Sequence, residues 1–550
     1  MQFTVLLPYA NNWIGKDAVV NHHKEVPFHL LRADAKRSVG EDSGNLLVQG
    51  DNLMALKALL PHYAGQVKCI YIDPPYNTGN ENWVYNDAVN SPEMRVWLGK
   101  VVGGDSEDLS RHDKWLCMMY PRLVLLRQLL SDDGAIFISI DDNEVANIRY
   151  LMDEIFGLGN FVINLIWEKK FSPQNDEKYI TATHDHIMLY ARNKSRLKIN
   201  LLPRSDETNK RYTNPDNDPR GPWSSGDFTT KTKAQGHSYE IISPSGKVIL
   251  KPGNRQWGPS YETYLKLRDE NRIWFGEKGN NVPRLKQYLS EVQQGIVPMS
   301  IWKHTEVGHN QEAKQELNGL INKNSDFETP KPTRLIKRIL QIASNPGDLI
   351  LDSFAGSGTT GHAVLKQNAE DGGNRRFILV EMDENICQNI TAERLKRAAL
   401  GYTYKDQKGN EKQEAGLGGG FRYCELGETL FNAQGQIRKE VAFEDLARHV
   451  YFTETGQPLD LTPRPPSPLG KGESPLLGVH NGVAVYLLYN GILKDKSAGG
   501  GNVLTRAVLT SLPAHDGPKV IYGNGSLFSE SKLRELGTTF RQVPYEIKVN

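Results

Sequence analysis

Two short stretches of this chain carry residue types that can do chemistry together. The first is DPPYNTG (73–79), into which the apolar run VKCIYI (67–72) leads directly. Prolines have no N–H to donate, so strand pairing ends there and the corner is stiff. Asp73 and the backbone carbonyl of Pro74 are acceptors only. Together they can hold both hydrogens of one planar amine and leave the nitrogen lone pair pointing outward. Tyr76 offers a ring face on which a flat heterocycle can stack, and Pro74 and Pro75 keep the arrangement rigid. The constellation suits an exocyclic amine on a base that has left its helical stack. Hydride transfer has no use for it.

The second stretch is LILDSFAGSGTTGHAV (349–364), where an apolar strand ends at Asp352 and a turn containing Gly356 and Gly358 leads into a helix. Glycines there permit a tight turn and let a ligand approach the backbone closely. The next apolar strand, FILVE, ends at Glu381, 29 residues beyond Asp352. An acidic side chain at that strand end can accept hydrogen bonds from a ribose diol. A dinucleotide, ATP or S-adenosylmethionine would each suit such a turn. Gly356-Ser-Gly-Thr-Thr-Gly361 fits the dinucleotide pattern formally, whereas His362 after Gly361 rules out a Walker loop. The acceptor corner at Asp73 is what disfavours the dinucleotide.

The elements that must position these groups are legible around them. NLLVQGDNLMALKALL (45–60) reads as strand, turn and helix; WLCMMYPRLVLLRQLL (115–130) as a buried helix with Pro121 at a kink or start; GAIFISID (134–141) as a strand. A helix ending at Gly157 and two strands, FVINLIWEK and HDHIMLYAR, follow. Continuous rather than alternating apolar runs suit a parallel sheet covered on both faces. Parallel-sheet texture stops near residue 191 and returns at 348–365 and 375–383. Between them, residues 191–300 are rich in Asn, Pro, Gly and Ser and carry 19 Lys and Arg against 11 Asp and Glu. The expected organisation is one α/β domain split into 1–190 and 326–425, an insert at 191–325, and a C-terminal α/β domain at 426–550 with a Pro-rich loop at 457–475.

Composition bounds the rest. A chain of 550 residues, 38% hydrophobic and 24% charged, is neither disordered nor membrane-embedded. It lacks an apolar run near 18 residues, and its first residues do not read as a signal peptide, so a cytoplasmic location is expected. The four cysteines form no CxxC pair and read as buried thiols. His184 and His186 have no visible third ligand and read as strand residues, so no metal is expected. The net charge of +1 requires any basic DNA-binding surface to be local.

The residues quoted so far resemble the DNA amino-methyltransferases that use S-adenosylmethionine. Asp73-Pro74-Pro75-Tyr76 looks like their catalytic motif, and Asp352-Ser-Phe354-Ala-Gly356-Ser357-Gly358-Thr359-Thr360 like their cofactor motif, with Ser353 where many relatives carry proline. The catalytic motif comes about 280 residues before the cofactor motif, with the basic insert between. That order resembles the permuted β class, whose insert recognises the target. The run IDPPYNTGNENWVYND, with FISIDDNE, IWKHTEVG and the tail KVIYGNGSLFSESKLRELGTTFRQVPYEIK, resembles the modification (Mod) subunit of type III restriction-modification systems.

The resemblance implies a Rossmann-like, doubly wound, mostly parallel α/β fold and direct methyl transfer from S-adenosylmethionine to adenine N6 in double-stranded DNA by base flipping. It implies that Asp51 lies beside the cofactor adenine, that Thr329 and Lys331 lie at its methionine end, and that a helicase-nuclease restriction subunit or a second copy is a partner. Cytosine N4 is the alternative target, since both amines present similar hydrogens. A specificity subunit acting chiefly in recognition, or an RNA or protein-amide methyltransferase, are further readings. In the insert, Arg211, Arg220, Lys231, Lys233, Lys251 and Arg255 are candidates for DNA contact, interleaved with Trp223, Tyr239, Trp257 and Trp274.

Overall fold

The computed structural model describes residues 13–40, 44–78, 107–172, 179–204, 206–232, 237–292, 295–321, 327–405, 411–432, 434, 436–438, 440–459, 474–489 and 500–543. The chain divides into two compact units: Met1–Ile199 with Met299–Asn550, and Asn200–Pro298.

A ten-stranded sheet organises the first unit. In chain order its strands are β1 (His29–Val39), β2 (Leu46–Gln49), β3 (Val67–Ile72), β4 (Leu130–Ile140), β5 (Phe161–Glu168), β6 (His184–Ala191), β7 (Ile301–Trp302), β8 (Leu349–Asp352), β9 (Arg376–Glu381) and β10 (Phe421–Thr429). In space they run β1-β10-β2-β9-β8-β3-β4-β6-β5-β7. The six from β10 to β4 are all parallel. β1 and β6 pair antiparallel with their neighbours.

Cys69, Ile70, Tyr71 and Ile72 are all buried, although successive side chains point to opposite faces. Helices therefore cover both faces, as the continuous apolar runs require. Helix α1 (Asn52–Tyr63) follows β2 and packs on α2 (Glu107–Leu129); α3 (Thr333–Ala343) packs on α4 (Thr359–Asp371). Asp51 caps α1 by accepting from Met54 N at 2.9 Å. Pro121 lies inside α2, which starts well before it. β10 runs through the expected domain boundary at 425, so main-sheet residues lie on both sides of it.

The connections place a crevice between two strands. From β8 the chain goes through α4 to β9, and from β3 it goes through α2 to β4, in the opposite direction along the sheet. Between parallel neighbours that diverge in this way, a crevice opens at the carboxyl ends. Asp352 ends β8, and Asp73 follows β3.

Toward the C-terminus a four-stranded sheet (Leu476–His480, Val483–Leu487, Lys519–Gly523, Thr538–Gln542) shares a buried cluster with Phe28, Leu30 and Leu446. Of the Pro-rich loop, residues 460–473 lie outside the described residues. No helix among the described residues is long and apolar enough to cross a membrane.

Among its described residues the second unit holds a three-stranded antiparallel sheet, two short antiparallel pairs and the helices Asp206–Asn209 and Tyr261–Asp269. Phe228, Ile241, Trp257, Tyr264 and Phe275 form its core.

Candidate active site

At the acceptor corner, residues 73–78 leave β3 without regular structure, and neighbouring elements pin them. The Trp115 indole N–H, from α2, donates to the Pro75 carbonyl at 2.7 Å. Asn77 adopts φ 55°, a left-handed conformation that Asn tolerates better than most residues. Its amide donates to the fully buried Glu144 carboxylate, which His112 Nδ1 also meets at 2.6 Å and Asn147 Nδ2 at 2.7 Å. Tyr76 is partly buried and its hydroxyl donates to Asp185 Oδ2 at 3.4 Å. Burial, followed by the Asp73 and Asp185 charges, holds its phenol well above the usual range. Asp185 is itself buried, with Lys169 Nζ at 2.5 Å from Oδ1. Desolvation raises its pKa in spite of the nearby Lys331 and Lys169.

The Asp73 carboxylate has two unlike oxygens. Oδ2 accepts from Lys331 Nζ, whereas Oδ1 is buried and has no hydrogen-bond partner among the described residues. A buried acceptor without a donor is costly, and an amine hydrogen would satisfy it.

The glycine turn stands one strand away. Gly356 has φ 50°, and a Cβ there would come within 2.8 Å of the Phe327 ring; Gly358 has φ 77°. Only glycine meets both the conformation and the space. Asp352, at the end of β8, serves the turn itself: Oδ1 accepts from Phe354 N at 3.0 Å and Oδ2 from the Thr360 hydroxyl at 2.5 Å, while burial pushes its pKa up to about 7. Glu381 likewise accepts from Gly356 N at 2.8 Å and Asp383 N at 2.9 Å, and burial pushes it up to about 7. Each of its oxygens keeps a second lone pair for a ligand hydroxyl.

Ser357 and Thr359 turn inward. Both hydroxyls accept from the buried Arg394 Nη1, at 3.0 and 2.8 Å. Nη2 of the same guanidinium reaches Thr333 Oγ1 at 3.0 Å and Glu316 Oε2 at 3.3 Å. Phe354 is buried. Asp51 joins the cluster through Arg122 Nη2, 3.3 Å from Oδ2, and Asn52 Nδ2 donates to Ser353 O at 3.3 Å. The structure thus brings Asp51, Asp352, Phe354, Gly356, Ser357, Gly358, Thr359 and Glu381 to one edge of the sheet.

Lys331 stands at the junction of the two halves. Its carbonyl accepts from Thr359 Oγ1 at 3.2 Å, and its ammonium pairs with Asp73 and lies 5.1 Å from the Tyr76 ring centroid. Thr329, two residues earlier, is exposed.

In the second unit the basic candidates separate by partner. Arg220 is chelated by Asp218 at 2.9 and 2.8 Å and donates to the Glu270 carbonyl at 2.8 Å, so it braces the fold. Arg255 donates to Thr229 O at 2.8 Å. Lys251 lies 3.5 Å from Gly253 O, and Lys231 is exposed. Lys233 lies outside the described residues. Arg211 is exposed beside a cavity of about 680 Å³ lined also by Arg204, Tyr212 and Arg272. The Arg204 and Arg211 guanidinium carbons each lie 5.2 Å from the Tyr212 ring centroid.

Several residues of the site had no motif to announce them: Trp115, Asp185, Lys169 and Arg394; Glu144 closes the FISIDDNE run, which did not state its role. Asp185 alone left a trace, since strand alternation in HDHIMLYA sends it opposite to His184 and His186. The structure also supplies the third polar group that those histidines lacked in sequence. Asp142 Oδ1 is 2.9 Å from His186 Nε2, and one ligand atom of each of the three lies within 4.8 Å of the others.

Comparison with known proteins places this geometry. A family model described as DNA methylase matches residues 67–393. The chain is 36% identical over 420 residues to the StyLTI Mod subunit, a type III restriction-modification enzyme of Salmonella typhimurium, covering 74% of this chain and 62% of that protein. It is 31% identical over 457 residues to the EcoP15I Mod subunit of Escherichia coli, covering 71% and 69%. The chain thus spans about two thirds of the length of these relatives. Among solved structures, a putative DNA modification methylase from Thermus thermophilus, complexed with S-adenosyl-L-methionine, aligns with TM-score 0.31 and 15% identity, over 64% of this chain and 95% of that one. With more than half its length matched, the chain belongs to the DNA methylase family, and its doubly wound sheet is that family's Rossmann-like fold.

Proposed function

We propose that this chain transfers a methyl group from S-adenosylmethionine to adenine N6 in double-stranded DNA, with the target base flipped out of the duplex, as the modification subunit of a type III restriction-modification system. The observation that carries this reading is the pairing of a buried, partnerless carboxylate oxygen on Asp73 with the Tyr76 ring, one strand away from a glycine turn.

A sulfonium methyl is already activated, so the protein's work is positioning and electrostatics. The cofactor, when bound, supplies that methyl. Asp73 Oδ1 and the Pro74 carbonyl accept hydrogen bonds from the two amine hydrogens, which turns the nitrogen lone pair outward and builds negative character on it; as the bond from nitrogen to the methyl forms, the methyl's bond to sulfur breaks, and Asp73 or a water takes the departing amine proton. Pro75 is held by Trp115 and keeps the corner stiff. Tyr76 stacks on the flipped base, its ring anchored through Asp185. Glu381 offers its remaining lone pairs to the ribose, and Gly356 and Gly358 let the cofactor lie against the backbone. Asp51 would stand beside its adenine, and Thr329 and Lys331 at its methionine end.

Segment 191–325 is read as the target-recognition insert. The exposed Arg211 and Lys231 and the half-buried Lys251, together with Lys233, are its candidate phosphate contacts; Arg220 and Arg255 brace the unit. Duplex DNA is the substrate, a helicase-nuclease restriction subunit and a second copy of the chain are partners, and the cytoplasm is the site of action.

Single-molecule sequencing of DNA from cells expressing this chain alone tests the reading. Modified adenine at one recurring sequence is expected, and Asp73→Ala or Tyr76→Ala should abolish it while the protein stays folded. Soluble, cofactor-binding protein that leaves no modified adenine would overturn the assignment.

A further inference from the structure

The Lys331 ammonium occupies the place that the target's amine needs. It sits on Oδ2 of the Asp73 carboxylate, beside the Oδ1 that the proposed reaction assigns to the amine, and within cation–π range of the Tyr76 ring on which the base would stack. The other Asp73 oxygen, Oδ1, is buried, so an amine reaches it only after something moves. Lys331 is the group best placed to do so. It lies between the donor and acceptor halves, held on the donor side through the contact of its carbonyl with Thr359 at the start of α4. Three carboxylates converge near it. Asp73 pairs with it, and its charge is felt by Asp185 and Asp352.

A cation in that position has two alternative anions when a ligand with an amino-acid carboxylate enters: Asp73, or the carboxylate of the ligand. We propose that Lys331 is a positioning residue that orders the reaction. It covers Asp73 and Tyr76 until the carboxylate of the cofactor's methionyl moiety draws its ammonium away, and only then is the corner open to the base. The inference rests on the methyl-transfer reading above and adds to it a coupling between the two binding sites. Its physical content is competition: Asp73 and the cofactor carboxylate share one ammonium, so whatever weakens one pairing strengthens the other.

The competition is measurable without DNA and without a known target sequence. Calorimetric titrations of the full chain would use S-adenosylhomocysteine, which carries the carboxylate, and 5′-methylthioadenosine, which lacks it. Asp73→Asn keeps the side chain's shape and removes the competing charge. It should tighten S-adenosylhomocysteine about tenfold, the scale of one charge-assisted pair in a partly buried site, and leave 5′-methylthioadenosine unchanged. Lys331→Met should weaken S-adenosylhomocysteine about tenfold on the same scale, and in that background Asp73→Asn should have no further effect. Lys331→Arg should restore part of the affinity.

Unchanged binding of 5′-methylthioadenosine shows that each variant is folded. Equal S-adenosylhomocysteine affinity in wild type and Asp73→Asn would overturn the inference and leave the methyltransferase reading standing, with Lys331–Asp73 a permanent brace. Persistence of the Asp73→Asn effect in the Lys331→Met background would also overturn it. Failure of the wild-type chain to bind either compound would overturn both readings.

Discussion

Arg394 is fully buried and ties together much of the donor half. It donates to Ser357 and Thr359 in the glycine turn, to Thr333 at the start of α3, and to the Glu316 carboxylate. Arg394→Met preserves most of the volume and removes all of these bonds. The three hydroxyls can rotate, and Ser357 and Thr359 already face each other at 3.2 Å. The carboxylate has fewer options. Glu316 keeps only Thr333, whose hydroxyl donates at 2.6 Å, and its side chain is 27% exposed. Breaking a buried ion pair from one side costs about 3–5 kcal/mol; the residual exposure of Glu316 places this site at the lower end, about 3 kcal/mol.

Chemical denaturation followed by fluorescence should show that loss. Glu316→Gln in the Arg394→Met background should recover about 1–2 kcal/mol, because it removes the stranded charge. The pH dependence carries a further sign. Burial works to raise the Glu316 pKa, and the Arg394 charge, together with His362, the Thr333 hydroxyl and Lys366, outweighs it, so the folded value lies below the ordinary one of 4.5. The stability that this pair contributes is therefore fully present above the unfolded pKa and is lost as pH falls through the folded one. The gap between wild type and Arg394→Met should narrow below pH 4.5. A cost under about 1 kcal/mol, within the range of ordinary surface changes, or a double variant no better than the single, would refute the view that Arg394 bolts the turn in place.

Trp115→Phe removes the indole donor to the Pro75 carbonyl, at a cost of about 1 kcal/mol; methylation should slow while S-adenosylhomocysteine affinity holds, as steady-state kinetics beside calorimetry would show. His449 is buried with neither ring nitrogen partnered, and burial, with Lys57 second, lowers its pKa from 6.5 to about 3. The unfolded chain takes up that proton below pH 6.5 and the folded one does not, so stability falls with pH across that window. His449→Phe should remove a contribution of about 2 kcal/mol to the loss between pH 7 and 5 in denaturation series, a slope that approaches about 1.4 kcal/mol per unit only well below pH 6.5. In the second unit, Arg211→Ala should weaken DNA binding across sequences and lower the salt slope by about 1 in filter-binding titrations. Arg220→Ala should instead lower the unit's melting temperature, because it breaks the Asp218 chelate.

What was legible in the sequence is what local chain constraint writes into a few adjacent residues. Strand ends at Asp73 and Asp352, the two prolines and the positive-φ glycines state their geometry in place, and the ribbon of parallel strands followed from uninterrupted apolar runs. What escaped depends on residues that are ordinary where they stand. Trp115 and Glu144 meet the acceptor corner only because α2 and the end of β4 deliver them there. Lys331 and Asp73 are 258 positions apart, so their pairing has no local sign. Ser357 and Thr359 looked like ligand contacts because they sit in the motif, yet their hydroxyls serve Arg394. Arg220 was read by charge alone, although Asp218-Pro-Arg220 places its carboxylate partner two residues away. Pro121 reads as a kink or a helix start, and the helix begins well before it.

The pairing of β3 with β8 has a consequence in time. β3 is complete at Ile72, and its neighbour begins at Leu349. At ribosomal rates of ~5–20 residues per second, roughly 15–55 s separate the emergence of the two. During that interval β2 and β3 both lack the strands that later lie between them, and each presents an apolar edge open to the wrong partner. A nascent chain of this design depends on something to shield those edges. The two halves of its chemistry come into existence together, late in synthesis, when β8 and β9 slot into the gap.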